Sequence, residues 1–266
     1  TASRVAAMCT HWPLLRLLPN SGTGKKAALT VGVKAARSAY IVQTDADVRM
    51  GPQRIRTIAT YMQVHRPDLL LLPVVTEGEG FVGRIQVEEQ AALLVLAAVQ
   101  GAQGHGVLGY GANMAYARAA FEEVGGFQGD ERASGDDLHL ILRMRRAGKR
   151  VRFLLDPAAR VSTAAEIGWS GFFQQRIRWA GKMHDLPWRL QAPAVCGVLY
   201  PYALAGLAWA VLRALHVGED RFYEVLFVAG AGFLWWRAVV TLVRGGLSFA
   251  GGDAKRDTSG WSALLF

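Results

Sequence analysis

Short apolar runs separated by polar and glycine-rich breaks fill the first two thirds of this chain, and two long apolar stretches follow near its end. Residues 1–12 read as the end of a helix and 14–18 as a short strand. Residues 19–24, Pro-Asn-Ser-Gly-Thr-Gly, have loop chemistry. Ala28, Leu29, Val31, Gly32 and Ala35 then give 25–37 a face that can pack as a helix. Tyr40–Thr44 is an apolar strand, and Pro52 stands where a helix over 53–65 can begin. Residues 69–75, Leu-Leu-Leu-Leu-Pro-Val-Val, read as one buried strand. This strand–helix alternation predicts an α/β domain with a mostly parallel sheet covered by helices.

Farther along, 81–100 is a long helical stretch, 101–111 a glycine-rich loop and 111–116 a strand. A helix over 118–124 is closed by Gly125-Gly126. Asp136-Asp137 opens a helix that runs to about residue 147, Gly148 ends it, and 151–155 is another strand. Residues 170–184 form an amphipathic helix with Phe172, Phe173, Ile177 and Trp179 among basic residues.

The two long stretches, 194–217 and 225–243, carry one charge each, Arg213 and Arg237. Either is long enough to cross about 30 Å of hydrocarbon as a helix. Tyr200, Tyr202, Trp209, Tyr223, Trp235 and Trp236 suggest interfacial belts, and Lys182, Arg189, Arg244, Lys255 and Arg256 flank the outer ends. The expectation is a multi-pass protein of the cell (inner or plasma) membrane, with the front domain and the tail cytoplasmic. The alternative is a pair of buried helices in a soluble protein. Composition agrees with a membrane: 52% of residues are hydrophobic, and the mean hydropathy is +0.17. The net charge of +9 suits anionic lipid head groups or a phosphorylated substrate. Nucleic acid is not an expected partner, because the apolar C-terminal region would have no role in binding it. Cys9 and Cys196 show neither metal-ligand nor redox spacing and read as free thiols. An opening at Thr1 without a first buried strand, and an apolar ending, suggest a fragment of a longer chain.

The candidate chemistry starts where Tyr40–Thr44 runs into Asp45-Ala46-Asp47. Residues i and i+2 of an extended segment point to one side, so two carboxylates converge at a strand end, where ligands sit in open α/β sheets. They repel unless a cation compensates. A hard divalent ion held by one or two carboxylates plus substrate phosphates fits that chemistry; a solvated Asp-x-Asp turn is the plain alternative. Residues 22–26, Gly-Thr-Gly-Lys-Lys, are not a P-loop, because Pro19 and Lys26 stand where that motif needs Gly and Ser or Thr. Lys25 can still reach a phosphate. Asp136 and Asp137 suit an ordinary helix start or a general base, whose proton affinity nearby acids and phosphates raise. In Gln174-Gln175-Arg176-Ile177-Arg178-Trp179, an arginine can grip a diphosphate and an indole can stack on a sugar. The same helix can also lie on a membrane surface.

In this order the motifs resemble the membrane-associated family 2 glycosyltransferases, which include cellulose, chitin and hyaluronan synthases and ceramide glucosyltransferase. The resemblance rests on residues 24–29, Gly-Lys-Lys-Ala-Ala-Leu; on Thr44-Asp45-Ala46-Asp47; on 111–116 followed by 124–127, Val-Gly-Gly-Phe; on Gly135-Asp136-Asp137; and on Gln175, Arg178 and Trp179 as QxxRW. It covers about residues 10–190. It departs from the family in lacking a first strand with its own nucleotide-binding acids, and in having Asp136 where Glu is usual.

The resemblance implies a GT-A type, Rossmann-like catalytic domain over 1–168, truncated at its N-terminus. An interfacial segment over 169–190, two transmembrane helices within 191–246 and a cytoplasmic tail over 247–266 would follow. It implies inverting transfer of a sugar from a nucleotide-diphosphate sugar to a hydroxyl of a lipid-linked or glycan acceptor, in contact with membrane lipids. Asp45 would face the nucleotide, and Asp47 would bind Mg²⁺ or Mn²⁺. Lys25 and Arg178 would hold the diphosphate, and Asn113 and Gln175 would line the substrate site. Asp137, beside Asp136, would be the base, and Trp179 would floor the acceptor site. A single-addition transferase and a polymer synthase both fit, and a non-catalytic scaffold on the same fold is the reading from another class.

Overall fold

The computed structural model describes residues 2–20, 22–102, 104, 106, 108–129 and 135–183, with isolated positions between 206 and 248. Helix α1 (Ala2–His11) buries none of its residues. Helix α2 (Gly24–Ala35) leads into strand β1 (Tyr40–Thr44). A two-residue strand, β2 (Arg49–Met50), precedes helix α3 (Arg54–His65). Strands β3 (Leu69–Leu71) and β4 (Val74–Glu77) are followed by the long helix α4 (Gly80–Ala102). Then come β5 (Asn113–Ala117), α5 (Arg118–Glu123), α6 (Asp136–Arg146) and β6 (Val151–Phe153). A 3-10 turn (Pro157–Ala159), β7 (Val161–Ala164) and α7 (Gly168–Met183) complete the described elements.

The strands form two mixed sheets. The larger has the order β1-β5-β3-β6, and the smaller β2-β7-β4. Strand β5 runs antiparallel to both β1 and β3, whereas β3 and β6 are parallel. In the smaller sheet β4 and β7 are parallel, and β2 and β7 antiparallel. This corrects the expected mostly parallel sheet. The alternation over 40–75 does give β1 and β3 one direction, but it leaves a gap between them that β5 fills from the opposite direction.

The expected single strand over 69–75 is also two strands in two sheets. Pro73 has no N–H to donate, so a ladder cannot continue through it, and the chain passes from one sheet to the other at Leu72-Pro73. Residues 14–18 form no strand; Leu14 is 97% exposed and Leu17 47%, and an apolar run without a ladder partner has nothing to hold it extended.

Strand alternation divides the core. Leu69, Leu71, Met114 and Tyr116 face one side with Val33 of α2, Phe121 of α5 and Leu140, Ile141 and Met144 of α6. Leu70, Leu72 and Ala115 face the other with Ile58 and Met62 of α3 and with Ala159. Both faces of β3 are therefore covered, as its unbroken apolar sequence demands. Burying each such Leu, Ile or Met stabilises the fold by roughly 1.5–3 kcal/mol. Helix α4 packs on β4 and β6. At its last turn a Cβ on Gly101 would stand 2.2 Å from the Cβ of Phe153, so only glycine allows the approach.

No helix among the described residues is long and apolar enough to cross a membrane. The expected membrane helices over 194–217 and 225–243 lie, apart from isolated positions, outside the described residues.

Candidate active site

The carboxyl end of β1 gathers groups that are far apart in sequence. The β1–β5 register sets Thr44 opposite Asn113. Gln43 is buried, donates to the Gly111 carbonyl at 2.9 Å and accepts from the Tyr116 hydroxyl at 3.3 Å. The Thr44 hydroxyl donates to the Ala112 carbonyl at 3.0 Å. These bonds tie the turn before β5 to the strand end that carries Asp45 and Asp47. Asp45 is half-buried and receives the Lys25 ammonium at 2.7 Å; Asp47 is exposed. Lys25 reaches it from the first turn of α2, which starts at Gly24 with φ +84°.

Asp137 approaches the same turn from the other side. The Gly111 N–H donates to its Oδ2 at 3.3 Å, and the Leu138 N–H to its Oδ1 at 2.8 Å. Helix α6 opens after Gly135, whose φ of +101° suits glycine. The side chain of Asp136 lies outside the described residues. Next to Gly111, burial pushes the Tyr110 phenol above its ordinary range, with a Gln90 hydrogen bond opposing the rise. Lys25, Asp45 and Asp137 are thus joined through one backbone turn.

Asn113 has a different environment. It is fully buried, and its side-chain oxygen accepts from Arg54 Nη2 at 2.7 Å and Nε at 3.2 Å. Its amide nitrogen donates to the carbonyls of Pro73 at 2.8 Å and Ala159 at 2.9 Å. Two lone pairs and two N–H groups are all engaged, so Asn113 has no capacity left for a substrate in this arrangement. It serves as a clasp between the two sheets. Arg54, 1% exposed, also reaches the Gln43 carbonyl at 3.5 Å, and burial lowers its pKa. Sequence reasoning missed Arg54, because an arginine in the first turn of a helix reads as solvated.

The QxxRW residues lie on α7. Gln175 donates to Glu166 Oε1 at 3.1 Å, Trp179 is half-buried against Arg176, and Arg178 is exposed. Trp169, Phe173 and Ile177 on the same helix are 47%, 54% and 72% exposed.

Among the described residues no group of three or more His, Cys, Asp and Glu side chains converges as a metal cage. Asp45 and Asp47 supply two carboxylates at the strand end, which fits Mg²⁺ or Mn²⁺ when phosphate and water complete the shell.

Residues 40–250 match a protein family described as glycosyl transferase family group 2. Among solved structures, the chain is similar to a mycobacterial protein at 18% identity and a TM-score of 0.30, over 57% of this chain and 44% of that one. The chain therefore spans less than half the length of that structure. It is similar to S. aureus TarS 1–349 at 13% identity and a TM-score of 0.41, over 95% of this chain and 80% of that one. No curated protein matches it.

Proposed function

Because the chain belongs to glycosyl transferase family group 2, we propose that it moves a sugar, with inversion, from a nucleotide-diphosphate sugar to a hydroxyl of a lipid-linked or glycan acceptor at a membrane surface. The observation that carries this reading is the convergence at the β1 end. Lys25 holds Asp45 at 2.7 Å. Gly111, whose carbonyl is bonded to the strand before Asp45, donates to Asp137. Groups suited to a diphosphate and a group suited to a proton therefore flank one short turn.

In this reading Asp45 faces the nucleotide, and Asp47, with Asp45, holds Mg²⁺ or Mn²⁺. When bound, the ion supplies Lewis-acid stabilisation of the departing diphosphate. Lys25 and Arg178 place positive charge on the same phosphates. Asp137 accepts the proton of the acceptor hydroxyl as its oxygen bonds to the anomeric carbon and the diphosphate leaves from the opposite face. Trp179 floors the acceptor site. The exposed Trp169, Phe173 and Ile177, on a helix that also carries Arg178, support contact of α7 with a lipid surface.

Calorimetry with UDP and with GDP, in Mn²⁺ and in EDTA, tests the donor site. Binding should be tighter in Mn²⁺. Asp47→Ala should abolish that difference, and Asp45→Ala should weaken the nucleotide in both media. Equal affinity in Mn²⁺ and EDTA for the unmodified protein would remove the metal from the proposal.

A further inference from the structure

The QxxRW segment contains a second arginine, Arg176, and its contacts are more extensive than those of Arg178. Its Nε donates to Glu89 Oε1 at 3.1 Å, its Nη2 to Glu89 Oε2, and its Nη1 to Gln175 Oε1. Gln175 in turn donates to Glu166. Glu166 is fixed by a two-way exchange with Gln86: its N–H donates to Gln86 Oε1 at 2.9 Å, and its carbonyl accepts from Gln86 Nε2 at 3.0 Å. The carbon of the guanidinium lies 4.4 Å from the Phe172 ring centre and 4.5 Å from that of Trp179.

This uses the whole geometry of a guanidinium. Its N–H groups go to a carboxylate and a carboxamide, while its carbon stays within cation–π distance of both rings. Phe172, Arg176 and Trp179 stand four and three residues apart, on one stripe of α7. Glu89, Gln86 and Glu166 belong to α4 and to the loop after β7, which ties that stripe to the body of the domain. An indole on an otherwise exposed helix would sample several rotamers, and stacking on an anchored plane selects one.

We propose that Arg176 is a positioning residue that fixes the indole of Trp179 through the Glu89–Arg176–Gln175–Glu166 chain. Its functional consequence rests on the reading of Trp179 as the acceptor floor. Lysine keeps the charge but has neither the fork nor the faces. Arg176→Lys should therefore release the ring while the part of the donor site at the end of β1, Asp45 and Asp47 with Lys25, stays intact.

Labelling the full chain with 5-fluorotryptophan allows a direct test. The Trp179 resonance is identified by its loss in Trp179→Phe. Arg176→Lys should shift or broaden that resonance, while the ratio of UDP affinities in Mn²⁺ and in EDTA, which depends on Asp45 and Asp47, changes by less than about twofold, as expected for distant residues. Glu89→Gln, which keeps shape and removes one charge, should move it in the same direction by less, and decides the matter if Arg176→Lys does not fold. A resonance unmoved in both variants overturns the proposal. Acceptor-dependent nucleotide release from a panel of UDP- and GDP-sugars, measured in membranes, should fall about tenfold in Arg176→Lys, between the losses expected for an exposed and a desolvated cation–π contact. If Trp179→Ala leaves that release unchanged while the resonance still moves in Arg176→Lys, the acceptor reading fails and the positioning role stands.

Discussion

Two backbone N–H groups hold the carboxylate of Asp137, one from its own helix and one from Gly111. A base needs such fixation, because proton transfer requires a hydroxyl within hydrogen-bond reach of one defined oxygen. Asp137→Asn is nearly the same shape and cannot take the proton. Loss of a general base typically slows transfer about 10²–10⁴-fold, so this variant should keep UDP affinity and lose turnover. Transfer within about threefold of the unmodified protein, far short of that loss, would return the role to Asp136. Glu88 on α4 poses a separate question. Burial raises its pKa, and Arg84 one turn earlier opposes this. A carboxyl whose folded-state pKa is raised adds stability at low pH, where both states are protonated. It loses that contribution as pH rises from the unfolded toward the folded value. Glu88→Gln should therefore raise the unfolding temperature at pH 7 and have no such effect at pH 4 or below. Thermal scans at the two pH values check this; an equal rise at both would assign the effect to packing instead of ionisation.

At the scale of elements, the Arg54–Asn113 clasp decides how the sheets meet. It joins α3, β1, β5, the Pro73 crossing and the 3-10 turn. Asn113→Ala takes from the buried Arg54 guanidinium its two shortest hydrogen bonds and one donor each from the Pro73 and Ala159 carbonyls, and breaking such a network costs about 3 kcal/mol or more. The unfolding midpoint in urea should drop accordingly; a midpoint unchanged beside a large loss of transfer would mean that Asn113 meets substrate after all. Nothing in the sequence marked this clasp. The residue pattern placed β1 residue for residue and came close to α2, α3, α4, α5, α6 and α7, because apolar spacing, Pro52 and the paired glycines are local signals. It also put Lys25, Asp45 and Asp137 forward, because charged groups at strand and helix ends are visible in one dimension. It missed β2 and β7, which are short and take their order from neighbours. It put Asn113 forward as a substrate contact and gave no sign of the clasp, because burial is a property of the assembled sheets. Arg176 went unnoticed for the same reason: its role comes from Glu89, a residue on another helix.

For the molecule as a whole, the membrane proposal makes a topological prediction. If 194–217 and 225–243 form a hairpin through the bilayer, the turn between them faces away from the cytoplasm. With Cys9 and Cys196 replaced by Ser, Gly218→Cys in intact cells should react with a membrane-impermeant thiol reagent. Reaction only after the membrane is opened would rule the hairpin out.

The placement of β5 also governs when the larger sheet can exist. Strands β1 and β3 are the first two strands of the larger sheet along the chain, yet the ladder between them is made by residues 113–117. As the chain leaves the ribosome, 40–44 and 69–71 emerge first and have no partner in each other. They wait through the whole of α4 for the strand that joins them, and β6 adds to β3 only later. Pairings over such separations pay loop-closure entropy before any contact forms, which slows folding and leaves apolar edges uncovered meanwhile. The front half of this domain is therefore a late-closing structure: its first strands are made early and become a sheet only when the middle of the chain arrives.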